Sequence, residues 1–160
     1  MENYMKLEIA AISENESFAR SAVAAFALTL NPSLSELSDI KTAVSEAVTN
    51  CIVHAYAGGS TSEKVYIECS ADKSAGFGEL HIKITDFGCG IEDIDRALTP
   101  FYTTLEREER SGMGFTIMQT FMSDFAVESS RGGGTKVLMS KVIGNTDSLL
   151  PREKKEVDNA

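Results

Sequence analysis

The sequence predicts an α+β fold, a two-layer α/β sandwich in which a mixed, mostly antiparallel sheet carries its helices on one face. Two observations lead there. The elements read strand, two helices, two strands, a long loop, a helix and a closing strand pair, which is not the strict strand–helix alternation of a parallel sheet. The strands of both pairs are joined by short direct connections, which antiparallel neighbours can use and parallel ones cannot. The chain has 160 residues, 42% of them hydrophobic and 24% charged, enough for one domain with a real core. That domain is expected over residues 1–143, with 144–160 a polar tail lacking any period and expected to be disordered.

The elements follow in order. Lys6 to Ala10 alternate weakly as a first strand and then meet SENE, where Ser13 and Glu16 are spaced as a capping box. ESFARSAVAAFALTL is helical by composition and stops at Asn31-Pro32. Ser33 and Glu36 form a second capping box, opening a long helix through LSELSDIKTAVSEAVTNCIVHAY that ends at Gly58-Gly59. EKVYIEC puts Val65, Ile67 and Cys69 on one strand face. After a long Ser/Gly loop, ELHIKITD turns Leu80, Ile82 and Ile84 inward. Phe87 to Gly112 are loop-rich, with Pro100 and the charged LEREER. GFTIMQTFM is a short helix, and DFAVESS and TKVLMSKV form a hairpin about RGGG.

Composition excludes several classes. A net charge of −9 argues against a nucleic-acid footprint. No apolar run approaches membrane-spanning length, and MENYMKLEIAA lacks the form of a signal peptide, so a cytoplasmic location is expected. The three cysteines form no CxxC pair and read as reduced thiols, two of them in the core. Asp86, Phe87 and Gly88 spell the DFG of eukaryotic-type protein kinases. The HRD catalytic loop of that fold is missing, and too little strand precedes the first helix, so the match is one of letters.

Three features break the pattern of a plain structural domain. On the long helix, Leu37, Ile40, Val44, Ala47, Val48, Cys51, Ile52 and Ala55 share one face. Glu46 and Asn50 sit one turn apart on the other, flanked by Ala43 and Val53; a solvated face explains Glu46, but Asn is a poor helix former. Asp86 has the strand parity of Leu80, Ile82 and Ile84, so either a carboxylate points inward or the strand ends at Thr85 and Asp86 opens an Asx-turn. Gly88 and Gly90 follow it, while Gly112 and Gly114 frame Met113 where a helix begins. A helix N-terminus behind flexible backbone suits an anion.

This combination resembles the GHKL (Bergerat) ATP-binding fold of DNA gyrase, MutL and histidine-kinase catalytic domains. SEAVTNCIVHAY resembles its N box, DFGCGI its first glycine box, SGMGF its second and GGGT its closing motif. Within that fold SENESFAR, SEAVTN, PFYTT and ERSGMGFTIM are similar to the anti-sigma factors of spore-forming bacteria, the anti-sigma-F serine kinases in particular. The resemblance covers roughly Met5 to Lys141.

The resemblance implies a set of roles. Asn50 would bind the magnesium (Mg2+) that bridges ATP phosphates, and Glu46 would be the general base. Asp86 would accept from the adenine amino group, Thr135 assisting through water, and Gly88 and Gly90 would let the backbone pass close to the base. Gly112, Met113 and Gly114 would turn N–H groups to the phosphates, with Arg110 and Ser111 beside them and Arg107 a further candidate. Leu98 to Arg110 would be a lid ordered by ATP or ADP. Arg20 would contact protein partners. The family is dimeric, so a homodimer is expected, binding a sporulation sigma factor and phosphorylating a serine of an anti-anti-sigma (STAS-type) protein. A stress-response anti-sigma kinase is the near alternative. A histidine-kinase catalytic domain would need a phospho-accepting histidine on a helical hairpin, and the sequence offers only His54 and His81. A module that merely binds ATP would have no need of a base at Glu46.

Overall fold

A computed structural model of the chain describes residues 2–74, 76–100 and 113–144. In order they form strand β1 (Glu2–Ala11), helix α1 (Glu14–Ala27), a 3-10 turn (Leu28–Leu30), helix α2 (Leu34–Asn50) and a π turn continuing it (Cys51–Ala55). Strands β2 (Ser60–Ser74) and β3 (Phe77–Asp86) follow. Then come the short helix α3 (Ile94–Ala97), helix α4 (Gly114–Phe121), and strands β4 (Asp124–Ser129) and β5 (Thr135–Ile143). Arg107, Arg110, Ser111 and Gly112, most of the expected lid, and the tail from residue 145 lie outside the described residues. Among the described residues no helix is long and apolar enough to cross a membrane.

The five strands form one sheet in the order β1-β2-β3-β5-β4. Every neighbouring pair is antiparallel, so the expectation of a mixed sheet is corrected: the described strands contain no parallel pair. Parallel neighbours need a crossover that returns the chain to the same end of the sheet. Here β2 and β3 meet in a tight hairpin, Ser74 opposite Phe77, and β4 and β5 in another, Ser129 opposite Thr135. The loop expected at SADKSAGFGEL is therefore mostly strand. Its alternation hides in the sequence because small and polar residues occupy both faces.

The core lies between sheet and helices. Val65, Ile67, Cys69 and Ala71 of β2, Leu80, Ile82 and Ile84 of β3, and Val137 and Met139 of β5 face Ala19, Val23 and Ala27 of α1, Ile40, Val44, Ala47 and Val48 of α2, and Met118 of α4. The other face carries cross-strand ion pairs, Glu68 with Lys6 and Lys83, and Glu8 with Lys64. Ala43, expected on the half-exposed side of α2, is fully buried, because α4 packs along that side.

The two capping boxes part ways. At α2, the Ser33 hydroxyl accepts from the Glu36 N–H at 3.2 Å and the Glu36 carboxylate from the Ser33 N–H at 2.7 Å. Burial would raise the Glu36 carboxyl, but these bonds, the Gly144 N–H and the Lys141 charge together hold it below its ordinary value. At α1 the expected box is absent: Ser13 has helical backbone angles and its side chain caps nothing. Glu16 instead turns sideways to accept from Ser45 of α2. Ser33→Ala is accordingly expected to cost about 1 kcal/mol in urea unfolding, whereas Ser13→Ala should cost almost nothing.

Candidate functional site

The last turn of α2 and the π turn that continues it carry the site. Glu46 and Asn50 are half-buried on the side covered by α4. A methyl group built on Gly114 would stand 3.1 Å from Glu46 Oε2 and 3.3 and 3.4 Å from the Asn50 amide atoms. The first residue of α4 thus rests on this Glu/Asn pair, and any side chain there would crowd it. Met113 is the N-cap of α4 and its side chain makes no cap bond to the N–H groups of that first turn. A carboxylate, an amide and a helix N-terminus converge at one point.

Just past the same end of α2, beside the π turn that begins at Cys51, stands Asp86, 4% exposed, the last residue of β3. Its Oδ1 accepts from the Gly88 N–H at 3.0 Å and the Thr135 N–H at 3.2 Å. The carboxylate points inward and also accepts in an Asx-turn to Gly88, but the strand does not end at Thr85: it runs on through Asp86. The Cys51 thiol donates to it as well. Burial, and then the neighbouring carboxylate, push that thiol well above its ordinary range, so it stays protonated. Burial pushes the Asp86 carboxyl up too, against the three donors. Oδ2 receives neither backbone N–H, which leaves it acceptor capacity for a further donor.

Gly88 and Gly90 are forced by close approach. A Cβ on Gly88 would lie 2.4 Å from the Ala55 carbonyl oxygen, and one on Gly90, whose φ is +72°, would lie 1.9 Å from that of Ser130. The loop between them runs wedged between the π turn and the β4–β5 hairpin. Cys89 is exposed, whereas Cys51 and Cys69 are buried, and all three are free thiols.

Arg20 belongs elsewhere. It donates to Glu16 at 3.4 Å and to the Ser45 hydroxyl at 3.3 Å. It lines an open groove of about 540 Å3 together with Leu34, Leu37, Ser38, Lys41, Thr42 and Ser45. None of the Glu46, Asn50 or Asp86 side chains lines that groove.

Two residues that the sequence did not single out hold the site together. Ser129 accepts the Ile91 N–H at 2.8 Å and donates to the Gly134 carbonyl at 2.7 Å. Its one proton being used, the 2.9 Å contact with Thr135 is a bond that the Thr135 hydroxyl donates. Tyr56 bridges Phe87 and Lys64. No local pattern marks either, since their partners lie on other elements.

Residues 9–141 match the family model described as "Histidine kinase-like ATPase domain". Relatives named Anti-sigma F factor include one from Thermoanaerobacter sp. strain X514, 52% identical over 89% of this chain and 96% of its own. One from Clostridium acetobutylicum is 50% identical over 88% and 94%, and one from Oceanobacillus iheyensis is 48% identical over 93% and 99%. Among solved structures, the RsbU and RsbW domains of a Mycobacterium tuberculosis protein superpose with a TM-score of 0.60 at 15% identity, covering 89% of this chain and 33% of that longer one, a likeness of fold. The chain belongs to the histidine kinase-like ATPase domain family and, within it, to the family of the anti-sigma F factors.

Proposed function

We propose that this protein is a cytoplasmic ATP-dependent protein serine kinase and anti-sigma factor. It binds a sporulation sigma factor, keeps it from RNA polymerase, and transfers the γ-phosphoryl group of ATP to a serine of an anti-anti-sigma (STAS-type) partner. The observation that carries this reading is the layout at the C-terminal end of α2, with Glu46 and Asn50 of its last turn meeting the α4 N-terminus and buried Asp86 beside the π turn that follows. The family of ATPase domains and the relatives' shared name support it.

In this reading Asp86 Oδ2 accepts from the adenine amino group, and Gly88 and Gly90 let the backbone lie close to the base. The phosphates extend along α2 toward Met113 and Gly114, whose N–H groups face negative charge. Arg110, Ser111 and Gly112 complete the phosphate contacts. Among the described residues no cluster of three or more His, Cys, Asp or Glu side chains could hold a metal ion. That fits a hard cation bound mainly by nucleotide phosphates and water, with the Asn50 amide oxygen as protein ligand. Bound magnesium would supply charge neutralisation on the phosphates. Glu46 accepts the proton of the incoming serine hydroxyl as its oxygen bonds to the γ-phosphorus and the bond to ADP breaks. Most of the rate gain then comes from positioning and charge.

Arg20 and its groove are the surface for protein partners, on a homodimer. Its ties to Glu16 and Ser45 fix the guanidinium on the rim of that groove. Size-exclusion chromatography of the protein with a sporulation sigma factor and MgADP should give a complex, and Arg20→Glu should abolish it without altering nucleotide binding. Co-elution unaffected by Arg20→Glu would remove the groove from the account. No complex with the wild-type protein would remove the anti-sigma role.

A further inference from the structure

Tyr56 stands where the π turn of α2 hands over to the following turn. Its hydroxyl donates to the Lys64 carbonyl at 2.8 Å and accepts the Phe87 N–H at 2.8 Å. A hydroxyl has one proton, and here it goes to Lys64, so the lone pair that receives Phe87 is set by that choice. Phe87 directly follows Asp86 in the chain. The next residues are pinned from the same helix end: Cys89 N–H donates to the Ala55 carbonyl at 3.2 Å, and its carbonyl accepts the Gly132 N–H at 2.6 Å.

The π turn makes this possible. The Tyr56 N–H reaches back five residues to the Cys51 carbonyl, and the Gly58 N–H to Ile52, so the Ala55 carbonyl is turned toward the loop. The Phe87 ring does not anchor the segment by burial, being 69% exposed with one edge-on contact to Tyr66 at 5.6 Å. What fixes the backbone after Asp86 is the clamp from α2.

We infer that Tyr56 is a positioning residue for base recognition, setting where the Asp86 carboxylate meets the 6-substituent of a purine. It thereby sharpens the choice of a 6-amino over a 6-oxo base. The inference rests on the proposed reading of this cleft as an ATP site. It concerns a side chain that touches Asp86 only through the backbone, so a loss of overall affinity alone would not establish it.

The test is a pair of calorimetric titrations, MgATP and the magnesium complex of inosine triphosphate, with wild-type protein and Tyr56→Phe. The variant keeps the ring and loses one hydroxyl, so MgATP affinity should fall about 3- to 10-fold. Inosine triphosphate, which offers no amino group, should lose little, and the preference for ATP should shrink by nearly the same factor. A preference unchanged in Tyr56→Phe, whether both affinities hold or fall together, would overturn the inference and leave the ATP site standing. No preference for ATP in the wild-type protein would defeat the reading of Asp86 and the inference with it.

Discussion

Asp86→Asn is expected to weaken ATP binding by about 100-fold or more, while leaving the nucleotide-free protein at least as stable. The first half follows from chemistry. In the proposed role, the buried carboxylate that would accept from the adenine amino group becomes an amide that keeps Oδ1 for Gly88 and Thr135 and would turn its NH2 toward another NH2. The lost charged hydrogen bond contributes about 1.5–3 kcal/mol, and the unpaired donors add to the cost. The second half follows from linkage. Burial raises the folded pKa of Asp86 above its ordinary value of 3.8. Its contribution to stability is therefore favourable below that value and is lost as pH rises through the folded pKa. At neutral pH the unliganded carboxylate is a burden, and Asn removes it. Calorimetric titration with thermal unfolding at pH 7 checks both; a destabilised variant that bound ATP normally would contradict both.

Glu46→Gln is expected to behave in the opposite sense. ATP affinity should stay within about twofold, while phosphoryl transfer falls by about 10²- to 10⁴-fold, the usual worth of a positioned general base. Gln is close to Glu in volume and still fits against Gly114, so the packing of α4 on α2 need not change. What is lost is the ability to take a proton. Single-turnover transfer at saturating MgATP separates this from binding, and equal losses in both quantities would defeat the division of labour along α2.

The sequence was most informative where local period and global packing agree. Val65, Ile67 and Cys69 and then Leu80, Ile82 and Ile84 alternate because one sheet face is dry, and the same parity pointed to the inward Asp86. The Ser33 box was readable because both partners lie within one turn. Ser13–Glu16 has the same spacing and a different outcome, since Glu16 finds Ser45, 29 residues away on α2. No window of sequence contains that choice. Likewise the Ala55 carbonyl of the π turn meets the Cys89 N–H, and the Tyr56 hydroxyl finds the Phe87 N–H 31 residues on. Glycine placement was legible as a pattern, but its cause, the approach of Ala55 and Ser130 backbone to Gly88 and Gly90, appears only in three dimensions. The lid arginines rest on resemblance alone, and the reading of the tail on composition alone.

The central claim is transfer of phosphate to serine. Protein, magnesium and γ-labelled ATP should be incubated with a cognate anti-anti-sigma partner and the products treated with acid. The account predicts acid-stable label on the partner, lost with Glu46→Gln. Acid-labile label, or free phosphate with an unlabelled partner, would contradict it.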